Sequence, residues 1–287
     1  MDRDGVKELR IPIECGWIHV RSWGPPDPVE TVILLHGGPG VAEQYMEPIV
    51  RFVDNGLRRI GSYDQRGTGR SRCDSEDPGD FGLDAQAADL TLVIDSLAAG
   101  PVHLLGHSWG GIVAMDYAAR HGDRLASIIA VGSAPPNHGD LAVAQAAMSA
   151  RVEALQERGL IPLEEPESAT EGLRAVVPMY LWDPTLALPD EAVQSLEVTP
   201  GVGGKTWAAL EGFDLTEPLR AYRGPALVIF GEADPIGLPA AEATRVALAN
   251  SQLRYEILER CGHFPWFEAP ARFQALLDEF LSSPSEP

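Results

Sequence analysis

The stretch LGHSWGG, residues 105–111, sets one serine, Ser108, between Gly106 and Gly110, and no other G-x-S-x-G occurs in the chain. It follows the apolar run VHLLG and precedes WGGIVAMDYAA, which has helical spacing. The serine is therefore expected on a sharp strand-to-helix turn. A residue there must accept strained backbone angles, and glycines two before and two after remove the side chains that would collide. The amino end of the following helix favours negative charge developing beside it. The chemistry open to such a serine is attack on a carbonyl carbon. The competing reading is a tight turn whose glycines serve packing alone, and the strand-turn-helix context favours the nucleophile.

A serine hydroxyl needs a base to take its proton, and the base needs an orienting acid. On a turn of this kind the chain order is serine, acid, histidine. Three histidines lie downstream: His121, His138 and His263. His121 closes the helix after the turn, away from the strand ends, and His138 opens a helical segment. His263, in ERCGHFPWFE, follows the last strand in a glycine-containing loop and is the expected base. The expected acid is Asp234, in FGEADPIG at the end of a buried strand, with Glu232 as its near rival. Two donors must hold the oxyanion. They are expected to be the Trp109 backbone N–H and one from HGGPG (36–40), Gly38 or its neighbour Gly37. His36 and His107 precede the serine and are expected to brace the glycine loop and the turn. His103 and His107 stand four apart but straddle a strand and its turn, so no metal is implied. RGTGRSR lacks a phosphate-loop pattern, so no cofactor is implied.

The elements that would position these residues alternate. VKELRIPIE and WIHVRSW read as half-buried strands joined by a hairpin at Cys15-Gly16. TVILLHG is a buried strand, residues 42–56 have helical spacing ending on Asn-Gly, and LRRIGSYD is a further strand. Residues 83–100 form an amphipathic helix, followed by strand, helix and strand as far as Ser133. The alternation lapses over residues 136–224, which are mostly helical, and resumes with PALVIFGEAD, a helix over 238–249, LRYEILE and a helix over 268–283. This gives an α/β fold: a mostly parallel sheet with helices on both faces, its core made of 1–135 and 225–287, and a helical cap of 136–224 inserted beyond a strand's carboxyl end, where open α/β sheets bind ligands.

Composition bounds the rest. The chain has 287 residues, 45% hydrophobic and 22% charged, with a formal charge of −20, a surface that repels nucleic acid and anionic lipid. Cys15, Cys73 and Cys261 are far apart without C-x-x-C, suggesting neither a zinc site nor a disulfide framework. With no apolar leader in MDRDGVKELRIPIE and no run near the roughly 18 apolar residues of a membrane span, a cytoplasmic protein acting on a small molecule or short peptide is expected. Low complexity is confined to the terminal SSPSEP.

Together HGGPG, DQRGTGRS (64–71) and GHSWGG resemble the proline iminopeptidase family of serine peptidases within the α/β-hydrolase superfamily. Tryptophan directly after the serine, where lipases and esterases commonly have methionine, adds to the likeness. The resemblance covers nearly the whole chain. It implies the α/β-hydrolase fold with a helical cap, the triad Ser108, Asp234 and His263, a structural loop at Asp64–Gly67, and release of an N-terminal, preferably prolyl, residue through an acyl-enzyme. Two departures stand out: His107 where members have glycine, and Pro235 after Asp234, where the aminopeptidases place a carboxylate for the substrate amine. Glu211 and Glu232 are the candidates for that anchor, and Phe264 and Trp266 for clasping the ring. The same scaffold serves hydrolysis of a small ester, amide or lactone, or acyl transfer. A non-catalytic receptor is the remaining reading.

Overall fold

The computed structural model describes residues 5–282, and the tail SSPSEP lies outside them apart from Ser282. Its frame is a nine-stranded sheet, ordered β1-β2-β4-β3-β6-β7-β8-β9 with β5 paired to β2. The strands are β1 (Lys7–Ile13), β2 (Gly16–Trp23), β3 (Glu30–Leu35), β4 (Arg58–Tyr63), β5 (Arg72–Cys73), β6 (Val102–His107), β7 (Ser127–Val131), β8 (Pro225–Gly231) and β9 (Gln252–Leu258). The β1–β2 hairpin and the β2–β4 and β2–β5 pairs are antiparallel. From β4 to β9 every pair is parallel.

Buried strands alternate two apolar faces, which is why they read as continuous apolar runs. Ile33 and Leu35 of β3 join the core built with helices α2 (Leu83–Leu97) and α3 (Trp109–His121). Val32 and Leu34 join the opposite core, with α1 (Val50–Val53) and α11 (Pro270–Leu281). The expected helix over 42–56 is instead a 3₁₀ helix, Glu43–Ile49, running into the four-residue α1. Pro48 lies within it, and a residue without an amide hydrogen cannot extend an α ladder.

Between β7 and β8 the chain forms α4 (His138–Glu157), α5 (Ala169–Ala175), α6 (Asp190–Gln194), α7 (Val202–Ala209) and α8 (Thr216–Leu219), and no strand among the described residues. The backbone bridge Val41–Val198 joins this inserted segment to the core, and the bridge Asn137–Asp214 ties the segment's own two ends together. After β8 come α9 (Leu238–Ala247), then β9, then α10 (Pro265–Glu268) and α11. None of the described helices is long and apolar enough to cross a membrane.

The cysteines require a correction. Cys15 and Cys73 form a disulfide, and Cys261 is free and buried. The antiparallel register pairs Gly16 with Cys73, which brings the Cα atoms of Cys15 and Cys73 to 4.6 Å across 58 residues. Spacing along the chain could not show this, because the pairing depends on a two-residue strand.

Candidate active site

Ser108 sits between β6 and α3 at φ 55°, ψ −121°, a conformation that costs a non-glycine residue roughly 1–3 kcal/mol. The turn is held by the Ser108 N–H donating to Val131 O (3.0 Å) and by Ser108 O accepting from Gly111 (2.9 Å) and Ala134 (3.1 Å). Both flanking glycines are required by backbone. A Cβ on Gly106 would lie 2.2 Å from Gly110 O, and one on Gly110 2.0 Å from Leu35 O.

The loops after β8 and β9 bring Asp234 and His263 together. Asp234 Oδ2 accepts a hydrogen bond from His263 Nδ1 at 2.8 Å, while Oδ1 accepts from the Ile236 N–H at 2.9 Å. Both side chains are buried. A carboxylate on Nδ1 fixes that nitrogen as the protonated one in the neutral ring, so Nε2 carries the lone pair. Gly132 (φ +49°) makes room for the pair: a Cβ there would stand 2.7 Å from Asp234 Oδ2 and 2.8 Å from His263 Nδ1. His263 and Ser108 line one cavity of about 60 Å³.

The glycine loop is pinned from two sides. The Gly37 N–H donates to Tyr45 Oη (2.6 Å), which bonds His107 Nδ1 (2.8 Å), while His107 Nε2 lies 3.0 Å from His263 O. A carbonyl can only accept, so His107 Nε2 carries the hydrogen, Nδ1 accepts from the tyrosine hydroxyl, and the chain has one direction. Burial holds the His107 pKa well below 6.5, helped by neighbouring His263, in keeping with a neutral ring. On the other side, His36 Nε2 accepts the Gln65 N–H (2.9 Å), so His36 Nδ1–H donates to Gly37 O (3.0 Å). The Gln65 side chain bonds His36 O and accepts from the Trp109 indole at 2.6 Å. Arg66 of the same loop holds Asp89 through two nitrogens, so this loop serves architecture.

The Gly37 N–H is therefore occupied. Among the described residues no protein group accepts from the N–H of Gly38 or of Trp109, the two donors nominated for an oxyanion. Phe264 lines the cavity together with Leu173, Tyr180 and Leu196 from the inserted segment. Trp266 does not line it; it lies fully buried behind, 4.9 Å from the His107 ring and 5.5 Å from that of Phe264. Glu232 reaches from the loop after β8 to the loop after β9 and accepts the Arg260 N–H (2.7 Å), while Glu211 is exposed after α7. Neither carboxylate lines the cavity. His103 lies at the opposite end of β6 from His107, bonding Ser127 Oγ (2.8 Å) and lying 3.3 Å from Glu30. Tyr45 and Gly132 carried no signal in the sequence, because their parts depend on loops meeting in space.

A serine on a strained strand-to-helix turn at the carboxyl edge of a mostly parallel sheet, with a histidine–aspartate pair in the following loops, defines a class. Residues 30–270 match the family described as the alpha/beta hydrolase fold, and the chain belongs to it. It is 26% identical to a proline iminopeptidase of Lactobacillus delbrueckii subsp. bulgaricus, over 97% of this chain and 98% of that protein. It is 27% identical to a putative carbamate hydrolase, RutD, of Agrobacterium fabrum, over 92% and 98%. Among solved structures, a proline iminopeptidase-related protein of Thermus thermophilus superposes with a TM-score of 0.73 at 24% identity, over 96% and 97%.

Proposed function

We propose that the protein hydrolyses esters or amides of compact, largely apolar acyl groups through an acyl-enzyme on Ser108. His263 takes the serine proton as Ser108 Oγ attacks the acyl carbon, and then gives it to the leaving group. Asp234 holds the imidazole tautomer, and the Trp109 and Gly38 N–H groups receive the oxyanion. Water then releases the acid by the same steps. The observation that carries this reading is the cavity shared by Ser108 and His263: about 60 Å³, walled by Leu173, Leu196, Tyr180 and Phe264 and, among the described residues, by no carboxylate. Drug-sized ligands occupy several hundred cubic ångströms.

The relatives favour a second reading, release of an N-terminal prolyl residue. A pyrrolidine ring is compact enough, but its charged amine needs a counter-charge, and Glu211 and Glu232 stand outside the cavity. The test compares wild type and Ser108→Ala on three substrates: a short-chain nitrophenyl ester, a proline anilide and its N-acetyl counterpart. Ser108-dependent ester turnover with the free proline anilide inert supports the first reading. Cleavage of the free anilide alone selects the peptidase. Turnover of none, with no Ser108 labelling by a fluorophosphonate, rejects both.

A further inference from the structure

Three consecutive residues of the inserted segment, Tyr180, Leu181 and Trp182, are bonded to the loops that carry the acid and the base. The His263 N–H donates to Tyr180 O at 2.7 Å. Glu268, on α10, accepts the Trp182 N–H on Oε1 (2.7 Å) and the Gly262 N–H on Oε2 (2.9 Å). Arg151, on α4, donates to Leu181 O (2.6 Å) with one nitrogen and to Ala233 O (3.0 Å) with another. Gly262 and Ala233 are the residues immediately before His263 and Asp234. The approach is close enough to demand glycine: a Cβ on Gly262 would lie 2.2 Å from Tyr180 O and 2.9 Å from Leu181 C. Held there, the Tyr180 ring stacks on the His263 imidazole, centroids 5.1 Å apart and planes 26° apart, and forms part of the cavity wall.

We propose that Arg151 and Glu268 are positioning residues which clamp the Tyr180–Trp182 segment between the Asp234 and His263 loops, so that docking of this segment sets the orientation of the base. Neither residue touches the reacting atoms, and neither has the other as its ion-pair partner. Each directs its charge to backbone groups at both sides of a seam between inserted segment and core, where charge-assisted bonds are the strong ones. Burial raises the Glu268 pKa, opposed by the bonds from Trp182, Gly262 and Phe264. Burial lowers that of Arg151, against the attraction of Asp234 and Glu268. Two half-buried charges with no ion-pair partner among the described residues are costly unless something is gained. Here the gain is an imidazole that cannot swing away from Asp234 while the segment stays docked.

The inference rests on His263 acting as the base for Ser108, and its test separates the two. Arg151→Met, Arg151→Lys and Glu268→Gln are compared with wild type by kcat and KM on the substrate turned over, by melting temperature, and by the far-downfield proton resonance of the His263–Asp234 hydrogen bond. Glutamine offers one acceptor oxygen and turns an amide donor toward the other N–H, so Glu268→Gln opens half the clamp. The expected result is kcat about 10- to 100-fold lower, KM little changed, the resonance broadened or lost, and partial recovery in Arg151→Lys relative to Arg151→Met. A fall in melting temperature alone, with kcat and the resonance as in wild type, overturns the proposal. If Glu268→Gln does not fold, the Arg151 pair decides. If wild type shows no Ser108-dependent turnover, the hydrolase reading falls, while the proton resonance still reports on the clamp.

Discussion

Tyr45→Phe removes one oxygen that serves two buried groups. The hydroxyl accepts the Gly37 N–H at 2.6 Å and donates to His107 Nδ1 at 2.8 Å, and the surrounding residues are closed to water: Tyr45 is 5% exposed and His107 2%. Phenylalanine keeps the ring and leaves both polar groups orphaned. At about 1–3 kcal/mol for each unsatisfied buried group, the loss of stability is about 2–6 kcal/mol. At about 2–4 °C per kcal/mol for a chain of this size class, the melting temperature drops by at least ~4 °C. Catalysis suffers separately. Gly37 is pinned by Tyr45 on its N–H and by His36 on its C=O, and Gly38, the proposed oxyanion donor, follows it directly. Freeing one side lets the donor drift, and loss of one such donor costs about 10²–10³ in kcat. Thermal unfolding followed by circular dichroism, with kcat on a nitrophenyl ester, measures both. A variant that melts with wild type and keeps its kcat would refute the argument, because it would show that neither group depends on the hydroxyl.

Other perturbations follow from the same geometry. In Gly132→Ala the new methyl crowds both Asp234 Oδ2 and His263 Nδ1 on a backbone at φ +49°. Kcat should fall about 10²-fold or more with the Ser108 turn intact, and wild-type kinetics would dismiss the crowding. Buried His107 has a folded pKa below its unfolded value of 6.5. Its contribution to stability is therefore present above that value and is lost as pH falls below it, when only the unfolded chain takes the proton. Removing the imidazole in His107→Asn should lessen proton uptake on unfolding between about pH 5 and 6.5 by up to one proton; an unchanged pH slope of stability contradicts this. Cys73→Ser opens a covalent loop of 58 residues and should cost roughly 4 kcal/mol by chain entropy, read as a denaturation midpoint that dithiothreitol lowers in wild type but not in the variant.

Much of the fold could be read from periodicity, because a strand buried on both faces must be apolar throughout and an amphipathic helix must repeat every three or four residues. The Ser108 turn was legible for a local reason: Gly106 and Gly110 are needed by backbone atoms a few residues away or on the adjacent strand. Chain order and loop position pointed to Asp234 and His263, which lie paired at 2.8 Å, and His36 and His107 do brace the glycine loop and the turn, as expected from their position beside it. What could not be read depends on register or docking. The disulfide depends on where a two-residue strand pairs. The 3₁₀ stretch at Glu43–Ile49 depends on how one proline overrides a helical period. Glu211, Glu232 and Trp266 are placed by side-chain direction, which spacing does not reveal, and Arg151 and Glu268 act through backbone groups that no motif marks.

The bond between Cys15 and Cys73 also divides the working parts of the molecule into two classes of connection. The glycine loop at 36–40 lies inside a closed ring of chain, whereas Ser108, Asp234 and His263 lie outside it. A protease cut at the exposed turn Asn55–Gly56 would therefore not release a fragment while the sulfur link is intact. The nicked protein would keep β3 and β4 bound to the sheet at both ends, run at full mass without reductant, and separate into two pieces with it. In an oxidised state the glycine loop is thus held to the rest of the chain despite a break between it and β4.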